Sequence, residues 1–259
     1  MGKYSGILLC SDFDGTLFDG NEIPESNIRA IKEFREDGGL FTVISGRPPH
    51  FLKPFFEGYT FGVPTGNLNG AVICDVDNGK TVRESFMSGL TCELALRYAE
   101  AAGVYEDLIF FPIGEILRIP MEKADTVTDE ICKNTHKFLI ELKADATPEE
   151  SNAAYLRVKE AVGDKYVVAR SSYRLIEILD KRLTKASTAL FLKEYTGAHT
   201  LVCVGDFEND IDMIKAADVG YAVSNATESV KLSADRITVS VGEGAIAKII
   251  SELDTELCG

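Results

Sequence analysis

The sequence is poor in the residues that usually build a zinc site. Among its 259 residues there are three histidines and six cysteines. The histidines, His50, His136 and His199, lie far apart along the chain, and the cysteines form no Cys-x-x-Cys pair. Structural zinc sites usually draw on closely spaced cysteine and histidine ligands. We therefore predict no zinc site.

Positive charge and long apolar runs are also scarce. Lysine and arginine number 27 against 41 aspartates and glutamates, so the formal net charge is −14. Binding to nucleic acid without sequence preference, or to an anionic membrane surface, needs clustered cations, so this composition argues against both partners. No apolar run approaches the length of a membrane span, and residues 1–6 lead directly into a short apolar strand rather than a signal sequence. We expect a cytoplasmic protein with reduced cysteines, no nucleic-acid partner and no membrane contact. Nothing in the sequence indicates the oligomeric state.

Short apolar runs alternate with helical periodicity at both ends of the chain. Residues 7–10, 40–44 and 201–204 are typical of buried strands, because each run is fully apolar or nearly so and stops at a polar or glycine turn. A further early strand is predicted at 71–74. Helices are predicted between these strands, and this order is typical of an α/β fold with a Rossmann-like, doubly wound parallel sheet.

The middle of the chain has a different pattern. Its strands alternate polar and apolar residues, which is typical of a sheet covered on one face only. We interpret residues 83–182 as an α+β cap domain inserted into a core domain that is formed by residues 1–82 and 183–259.

Two carboxylates follow the first predicted strand, in the turn that begins Asp12-Phe13-Asp14-Gly15-Thr16. Asp12 and Asp14 can point into one crevice, where their mutual repulsion requires a cation such as Mg²⁺. One carboxylate could then attack phosphorus, while the other serves as general acid and base. Taken alone, this turn is equally consistent with a purely structural role.

Two further features could bind a phosphoryl group. Ser45, Gly46 and Arg47 follow the second strand, where a hydroxyl and a backbone N–H can hold an anion. Arg47 is a candidate phosphate ligand, although the two prolines directly after it could direct its side chain elsewhere. Lys185 lies at the start of a predicted helix, where the helix dipole disfavours a cation unless an anion is bound nearby. Each feature alone is also consistent with an ordinary turn or a solvated lysine.

The last feature follows the strand at 201–204. Asp206 is placed to complete a metal site with Asp12 and Asp14. Asn209 could donate a hydrogen bond to a phosphate oxygen, and Asp210 could orient Lys185 or a metal-bound water. Helix capping by Asp206 or Asn209 is the structural alternative. All four features come directly after strands or at a helix start, where ligands bind in open α/β sheets.

The ordered set of Asp12-x-Asp14-Gly-Thr, Ser45-Gly-Arg, Lys185 and Gly205-Asp206-x-x-Asn209-Asp210 resembles the four motifs of the haloacid dehalogenase (HAD) superfamily. The insertion between the second and third motifs is similar to the type-IIB cap of the Cof-like sugar-phosphate phosphatases. Asn69-Gly70-Ala71 also resembles a turn common in that subgroup. The resemblance covers nearly the whole chain.

This resemblance implies a role for each matching residue. It implies that Asp12 is the nucleophile and Asp14 the general acid and base. It also implies that Mg²⁺ is bound by Asp12, by Asp206 and by the backbone carbonyl of Asp14. The residues implied to bind the transferring phosphoryl group are Ser45, Gly46, Lys185 and Asn209, with Asp210 supporting them. Haloacid dehalogenases proper lack an acid at the position of Asp14, which disfavours a dehalogenase.

We therefore expect a Mg²⁺-dependent phosphomonoester hydrolase acting on a small phosphorylated metabolite, most simply a sugar phosphate, through an aspartyl-phosphate. A phosphomutase acting on a sugar phosphate is an alternative within the enzymes. A non-catalytic phosphate-ligand sensor is an alternative from another class, and the Asp12 and Asp14 pair argues against it because binding alone needs no acid beside a nucleophile. The sequence does not indicate which residues of the cap select the substrate.

Overall fold

The computed structural model describes residues 2–56 and 59–258 of the protein. The chain divides into two compact units, the first formed by Met1–Arg83 with Thr184–Gly259 and the second by Glu84–Leu183. The assignment of these parts of the chain to a catalytic core and a specificity cap stays a prediction.

Strands occur throughout the described chain and are numbered in sequence order. They are β1 (Ile7–Ser11), β2 (Leu40–Val43), β3 (Thr65–Asn67), β4 (Val72–Asp75), β5 (Lys80–Glu84), β6 (Tyr105–Phe110), β7 (Leu117–Pro120), β8 (Phe138–Leu142), β9 (Val167–Ser172), β10 (Leu175–Leu179), β11 (Thr200–Gly205), β12 (Val219–Ala222) and β13 (Arg236–Ile237).

The α-helices follow the same order. They are α1 (Glu25–Glu36), α2 (Pro49–Leu52), α3 (Cys92–Ala102), α4 (Asp129–Lys133), α5 (Pro148–Val162), α6 (Lys185–Thr196), α7 (Ile211–Ala216), α8 (Glu228–Lys231) and α9 (Ala245–Cys258). Short 3-10 segments include Lys53–Phe56, Leu68–Gly70 and Glu208–Asp210.

The first unit is built on a five-stranded parallel sheet. Its strand order is β13-β12-β11-β1-β2, so β1 is flanked by β11 and β2. Leu9 of β1 pairs with Val202 of β11 and with Phe41 of β2. All five residues of β1 are buried, as expected for a strand covered on both faces.

Helices cover both faces of this sheet. On one face, Leu9 and Val202 pack in a cluster with Phe34 of α1 and Ile246 of α9. On the other face, Leu8, Cys10 and Cys203 pack with residues of α6, among them Ala189 and Leu192. The predicted α/β fold class with a doubly wound parallel sheet is therefore confirmed, and the alternation of side chains along β1 explains how one strand supplies both layers.

The strand predicted at 71–74 is confirmed as β4, but it is not part of the parallel sheet. It lies in a three-stranded sheet of order β3-β4-β5 and pairs antiparallel with β3. A short apolar run indicates burial without specifying which strand it pairs with, so it could not distinguish this sheet from the parallel one.

The second unit contains a five-stranded antiparallel sheet of order β7-β6-β8-β10-β9. Alternate residues of its strands, such as Leu108 and Phe110 of β6 and Phe138 and Ile140 of β8, pack in one cluster with residues of α3 and α5. This sheet is therefore covered by helices on the face that carries these apolar residues, as its alternating sequence predicts.

Two expectations about the chain as a whole can be compared with the described residues. None of the described helices combines the length and the apolar composition that a membrane crossing requires. Five cysteines carry free thiols, namely Cys10, Cys74, Cys92, Cys132 and Cys203. The side chain of Cys258 lies outside the described part of the structure.

Candidate active site

The candidate site lies in the first unit, at the carboxyl ends of three neighbouring strands. Asp12 directly follows β1, Ser45 comes two residues after β2, and Asp206 directly follows β11. The backbone N–H of Asp12 donates to the carbonyl of Val204, so the neighbouring strand fixes the direction of the chain as it leaves the sheet. The parallel sheet thus explains why residues from distant motifs meet at one edge.

Lys185 connects two carboxylates at the centre of the site. Its Nζ donates to Oδ1 of Asp12 and to Oδ1 of Asp210, each at 2.6 Å. Lys185 is 2% exposed, Asp12 5% and Asp210 0%, so the three charges have almost no contact with solvent. Thr184 caps helix α6 and places Lys185 in its first turn. The two carboxylates offset the unfavourable position of a lysine at a helix N-terminus.

The site concentrates negative charge. Burial raises the pKa of the Asp12 carboxyl well above its usual range, and Asp210 adds to this rise while Lys185 opposes it. Burial and then Asp210 also raise the pKa of Asp206, to about 6, against the hydrogen bond from Thr16. Burial alone would lower the pKa of Lys185, but Asp12 and Asp210 more than offset it and raise that pKa. Three carboxylates therefore lie close to the ammonium group of Lys185, which binds two of them, Asp12 and Asp210.

Asp206 is held by the turn that follows β1. Oγ1 of Thr16 donates to Oδ1 of Asp206 at 2.8 Å. Gly15 has φ +82°, and a Cβ atom built on it would lie 2.5 Å from Oδ2 of Asp206. Only glycine allows the turn both this left-handed conformation and this close approach. The Gly-Thr pair after Asp14 therefore serves to position Asp206.

Asp210 has a supporting position. While its Oδ1 accepts from Lys185, its Oδ2 accepts from the backbone N–H groups of Asp206 and Phe207, each at 3.2 Å. Its side chain packs against Gly205, where a Cβ would lie 2.4 Å from the Cβ of Asp210. Asp210 thus connects Lys185 to the loop that carries Asp206.

The carboxylates fit a hard divalent cation. Among the described residues, Asp12, Asp206 and Asp210 each offer an oxygen within 4.8 Å of the others. Carboxylate oxygens are the ligands that Mg²⁺ prefers, and a divalent ion would balance the excess negative charge. Both oxygens of Asp210 already accept hydrogen bonds. Asp12 and Asp206 are therefore the candidate side-chain ligands, and the ligand role of the Asp14 carbonyl stays a prediction.

Asp14 lies outside this cluster of described carboxylates and contacts Arg47. Nε of Arg47 donates to Oδ2 of Asp14 at 2.8 Å, and Nη2 donates to Oδ1 at 2.6 Å. The Asp14 side chain is 50% exposed and that of Arg47 28%. The sequence indicated Arg47 as a candidate phosphate ligand, whereas in the structure its guanidinium group binds the Asp14 carboxylate.

Ser45 is held by two backbone hydrogen bonds, one of which comes from a strained turn. The backbone N–H of Ser45 donates to Gly66, and its carbonyl accepts from the N–H of Asn69. Leu68 and Asn69 have φ +50° and +57°, in the left-handed region that non-glycine residues rarely adopt. Such strain persists only where surrounding contacts impose it, and it often marks functional sites. The turn at Asn69, which the sequence indicated, thus supports the loop predicted to bind phosphate.

Asn209 lies in the 3-10 segment Glu208–Asp210, directly before Asp210, and is half-buried. The structure therefore brings Asp12, Lys185, Asp206 and Asp210 into contact and places Asn209 beside them. Contact of Ser45, Gly46 and Asn209 with a phosphoryl group stays a prediction.

Sequence reasoning missed two contributors to the site, Thr16 and Asn225, and assigned a different partner to a third, Arg47. Thr16 binds Asp206, Arg47 binds Asp14, and Asn225 donates from its Nδ2 to the carbonyl of Gly15 at 2.8 Å. Thr16 was part of the first motif, and its side-chain hydroxyl next to two carboxylates was the available signal. Nothing in the sequence around Asn225 distinguishes it from an ordinary turn residue.

Comparison with known proteins identifies the family. A family model of the haloacid dehalogenase-like hydrolases matches residues 9–250. The chain belongs to this family. The match contains every residue of the candidate site, and the predicted HAD, Cof-like identification is confirmed. The enzyme class of the protein is that of the HAD-type phosphatases, which hydrolyse phosphoric monoesters.

Relatives match over nearly their whole length. A phosphoglycolate phosphatase of Methanosarcina acetivorans is 39% identical over 253 residues, which cover 95% of this chain and 96% of the relative. The 5-amino-6-(5-phospho-D-ribitylamino)uracil phosphatase YitU of Bacillus subtilis is 23% identical over 262 residues, which cover 95% of this chain and 96% of the relative. The solved structure of a sugar phosphatase of HAD subclass IIB has a TM-score of 0.72 at 22% identity, covering 95% of this chain and 98% of its own. That structural likeness supports the fold.

Proposed function

We propose that this protein is a Mg²⁺-dependent phosphomonoester hydrolase that transfers a phosphoryl group first to Asp12 and then to water. The observation that carries the proposal is the Asp12 carboxylate, which is buried directly after β1 and held through Oδ1 by Lys185. A carboxylate fixed in direction and shielded from water is suited to attack phosphorus.

In the first step, an oxygen of Asp12 attacks phosphorus, and the bond from phosphorus to the leaving oxygen breaks. Asp14 gives a proton to that oxygen, so the product leaves as an alcohol. Lys185 supplies positive charge beside Asp12, where the negative charge of the phosphoryl oxygens must be balanced. Ser45, Gly46 and Asn209 are assigned as neutral hydrogen-bond donors to the same oxygens.

In the second step, water attacks the phosphorus of the aspartyl-phosphate. Asp14 takes a proton from this water, the bond between phosphorus and Asp12 breaks, and phosphate leaves. Asp12 returns to its carboxylate form. Mg²⁺ held by Asp12 and Asp206 would supply the charge that lets an anionic phosphoryl group approach this acidic site. Thr16 and Asp210 keep Asp206 and Lys185 in place through both steps.

The substrate we propose is a small phosphorylated metabolite, with a sugar phosphate as the first candidate. The HAD subclass IIB neighbour, named as a sugar phosphatase, supports this choice. A second candidate is 2-phosphoglycolate, which is supported by the relative at 39% identity that is named a phosphoglycolate phosphatase. A location in the cytoplasm remains our expectation from the sequence, and cell fractionation would test it.

A phosphate-release screen tests the proposal directly. Purified protein is incubated with sugar phosphates, 2-phosphoglycolate, 5-amino-6-(5-phospho-D-ribitylamino)uracil and an aryl phosphate, each with Mg²⁺ and with a chelator. We expect release only with Mg²⁺ and no release by Asp12→Asn. If turnover requires a phosphorylated-sugar activator, the protein is a mutase instead. If it binds phosphate compounds equally well with and without Asp12 and never turns them over, it is a sensor.

A further inference from the structure

Arg47 and Asp14 form a two-pronged ion pair at the edge of the site. Nε and Nη2 of Arg47 donate to the two different oxygens of Asp14, at 2.8 Å and 2.6 Å. This fork geometry fixes the plane of the carboxylate as well as its distance, which a single hydrogen bond would not do. The pair involves the residue to which the proposed function gives both proton transfers.

Aromatic rings hold the guanidinium group of Arg47 in this position. Its central carbon lies 5.1 Å from the ring centre of Phe13, 5.6 Å from that of Phe18 and 5.4 Å from that of Phe55. Phe13 and Phe18 are buried and stack on each other with an interplanar angle of 10°. A cation over several ring faces is stabilised by their electrostatics and loses freedom to move.

The backbone of Arg47 is also fixed. Its N–H donates to Oγ of Ser45 at 3.1 Å, and its carbonyl accepts from the N–H of Leu68 at 3.1 Å. Leu68 belongs to the strained turn with positive φ values. The strained turn, Ser45 and Arg47 are therefore connected by hydrogen bonds, and this support extends through the side chain of Arg47 to the carboxylate of Asp14.

We propose that Arg47 is a positioning residue that holds the unprotonated Asp14 carboxylate in place for the second step, in which it takes a proton from the attacking water. This inference rests on the proposed function, because it assigns a task to Arg47 only if Asp14 transfers protons. Proton transfer requires a heavy-atom distance of about 2.6 to 3.2 Å. A half-exposed aspartate without a fixed partner would sample several rotamers, most of them outside that range.

The inference predicts different effects on the two steps. An aryl phosphate whose leaving group departs as a stable phenolate needs no proton from Asp14, so Asp12 should form its phosphoryl bond at nearly the normal rate. Breakdown always needs Asp14, because the attacking water must lose a proton. Misplaced Asp14 should therefore slow breakdown by about 10- to 100-fold and leave formation from the aryl phosphate almost unchanged.

Rapid-quench kinetics of Arg47→Met with p-nitrophenyl phosphate tests this. We expect a burst of nitrophenolate stoichiometric with enzyme, followed by slow turnover, and phosphoenzyme that accumulates. KM for the substrate should change little. Added guanidinium should restore part of the breakdown rate in Arg47→Ala.

Two further variants test whether misfolding, or the loss of any arginine, could explain the slow breakdown. Arg47→Lys keeps a cation over the rings but cannot form the fork, so it should show the same slow breakdown even if Arg47→Met does not fold. Arg29→Met is the matched control, because Arg29 pairs with Glu25 at 3.2 Å on the exposed surface of α1. It should behave as the parent protein does.

Three results would overturn the inference. Unchanged or faster breakdown in the folded Arg47 variants would show that the pair does not assist Asp14. Equal slowing of both steps with a raised KM would make Arg47 a phosphate ligand instead. Failure of guanidinium to restore breakdown in folded Arg47→Ala would exclude positioning by the lost group. A parent protein that never forms phosphoenzyme would refute the proposed function itself, a result that is distinct from these three.

Discussion

Nζ of Lys185 lies 2.6 Å from Oδ1 of Asp12, although the two residues are 173 positions apart in the chain. Lys185 comes from the first turn of α6, which packs on the face of the sheet opposite to α1, and Asp12 comes from the end of β1. Both are almost fully buried. The ion pair therefore exists only in the folded first unit, and it holds the proposed nucleophile in one orientation.

Removal of the Lys185 ammonium should destabilise the protein strongly. Lys185→Met leaves Asp12 and Asp210 buried without their cation, and breaking a buried pair in this way costs about 3 to 5 kcal/mol. We expect that decrease in the free energy of unfolding, measured in urea without Mg²⁺. We also expect the turnover rate kcat to fall about 100-fold or more, because charge beside the phosphoryl group is lost.

Lys193→Met is the matched control for that experiment. Lys193 lies on the same helix and pairs with Asp218 at 2.6 Å, but the Asp218 side chain is 49% exposed. Solvent screens such a pair, so its loss should change the free energy of unfolding by less than about 1 kcal/mol. Similar losses in the two variants would contradict the buried placement of Lys185.

Gly15→Ala should weaken Mg²⁺ activation. The added Cβ would lie 2.5 Å from Oδ2 of Asp206, so this carboxylate must move. We expect the Mg²⁺ concentration for half-maximal activity to rise about tenfold or more, as when the residues that orient a metal ligand are altered. The measurement is a Mg²⁺ titration of phosphate release.

Gly20→Ala separates backbone strain from the contact with Asp206. Gly20 has φ +102°, but a Cβ built there has nothing within 4 Å. Both variants place alanine at positive φ and should lose some stability. Only Gly15→Ala should need more Mg²⁺, and an equal shift in Gly20→Ala would count against the role of Gly15 in positioning Asp206.

The stability of the first unit should depend on Asp218 at acid pH. The pKa of Asp218 is lowered from 3.8, chiefly by the hydrogen bond from Lys193 and then by that from the N–H of Leu201. Because folding lowers this pKa, the ionised Asp218 carboxylate stabilises the folded protein. That stabilisation is complete above the unfolded pKa of 3.8 and is lost as the pH falls through the pKa of the folded protein.

Asp218→Asn should therefore lower the free energy of unfolding at neutral pH while making it less dependent on pH in the acid range. Urea unfolding at a series of pH values measures this. Parallel pH curves for parent and variant would show that Asp218 does not contribute as described.

The sequence predicted the main contacts of the candidate site because each of its motifs follows a strand or begins a helix. Asp12 and Asp206 end neighbouring parallel strands, so their proximity follows from the fold class. Lys185 was singled out by the disfavoured position of its charge at a helix start. Each pattern alone was also consistent with a structural role, and the ordered set of four motifs decided between the two.

The contacts of Asp14 and the pairing of β4 could not be predicted in the same way. Residue spacing places Asp14 in the turn but does not determine the direction of its side chain, which depends on Arg47 and on three rings from two segments. The run at 71–74 shows that a strand is buried but not which strand it pairs with. Both features depend on tertiary contacts that have no local signature.

The proposed function depends above all on Asp12 carrying the phosphoryl group during turnover. The direct test is to quench the protein in acid during hydrolysis of an aryl phosphate with Mg²⁺ and to locate the phosphoryl group by peptide mass spectrometry. We expect a phosphoryl group on the peptide that contains Asp12, lost on replacement of Asp12 by asparagine. Phosphoryl transfer to another residue, or turnover that persists in Asp12→Asn, would contradict this role.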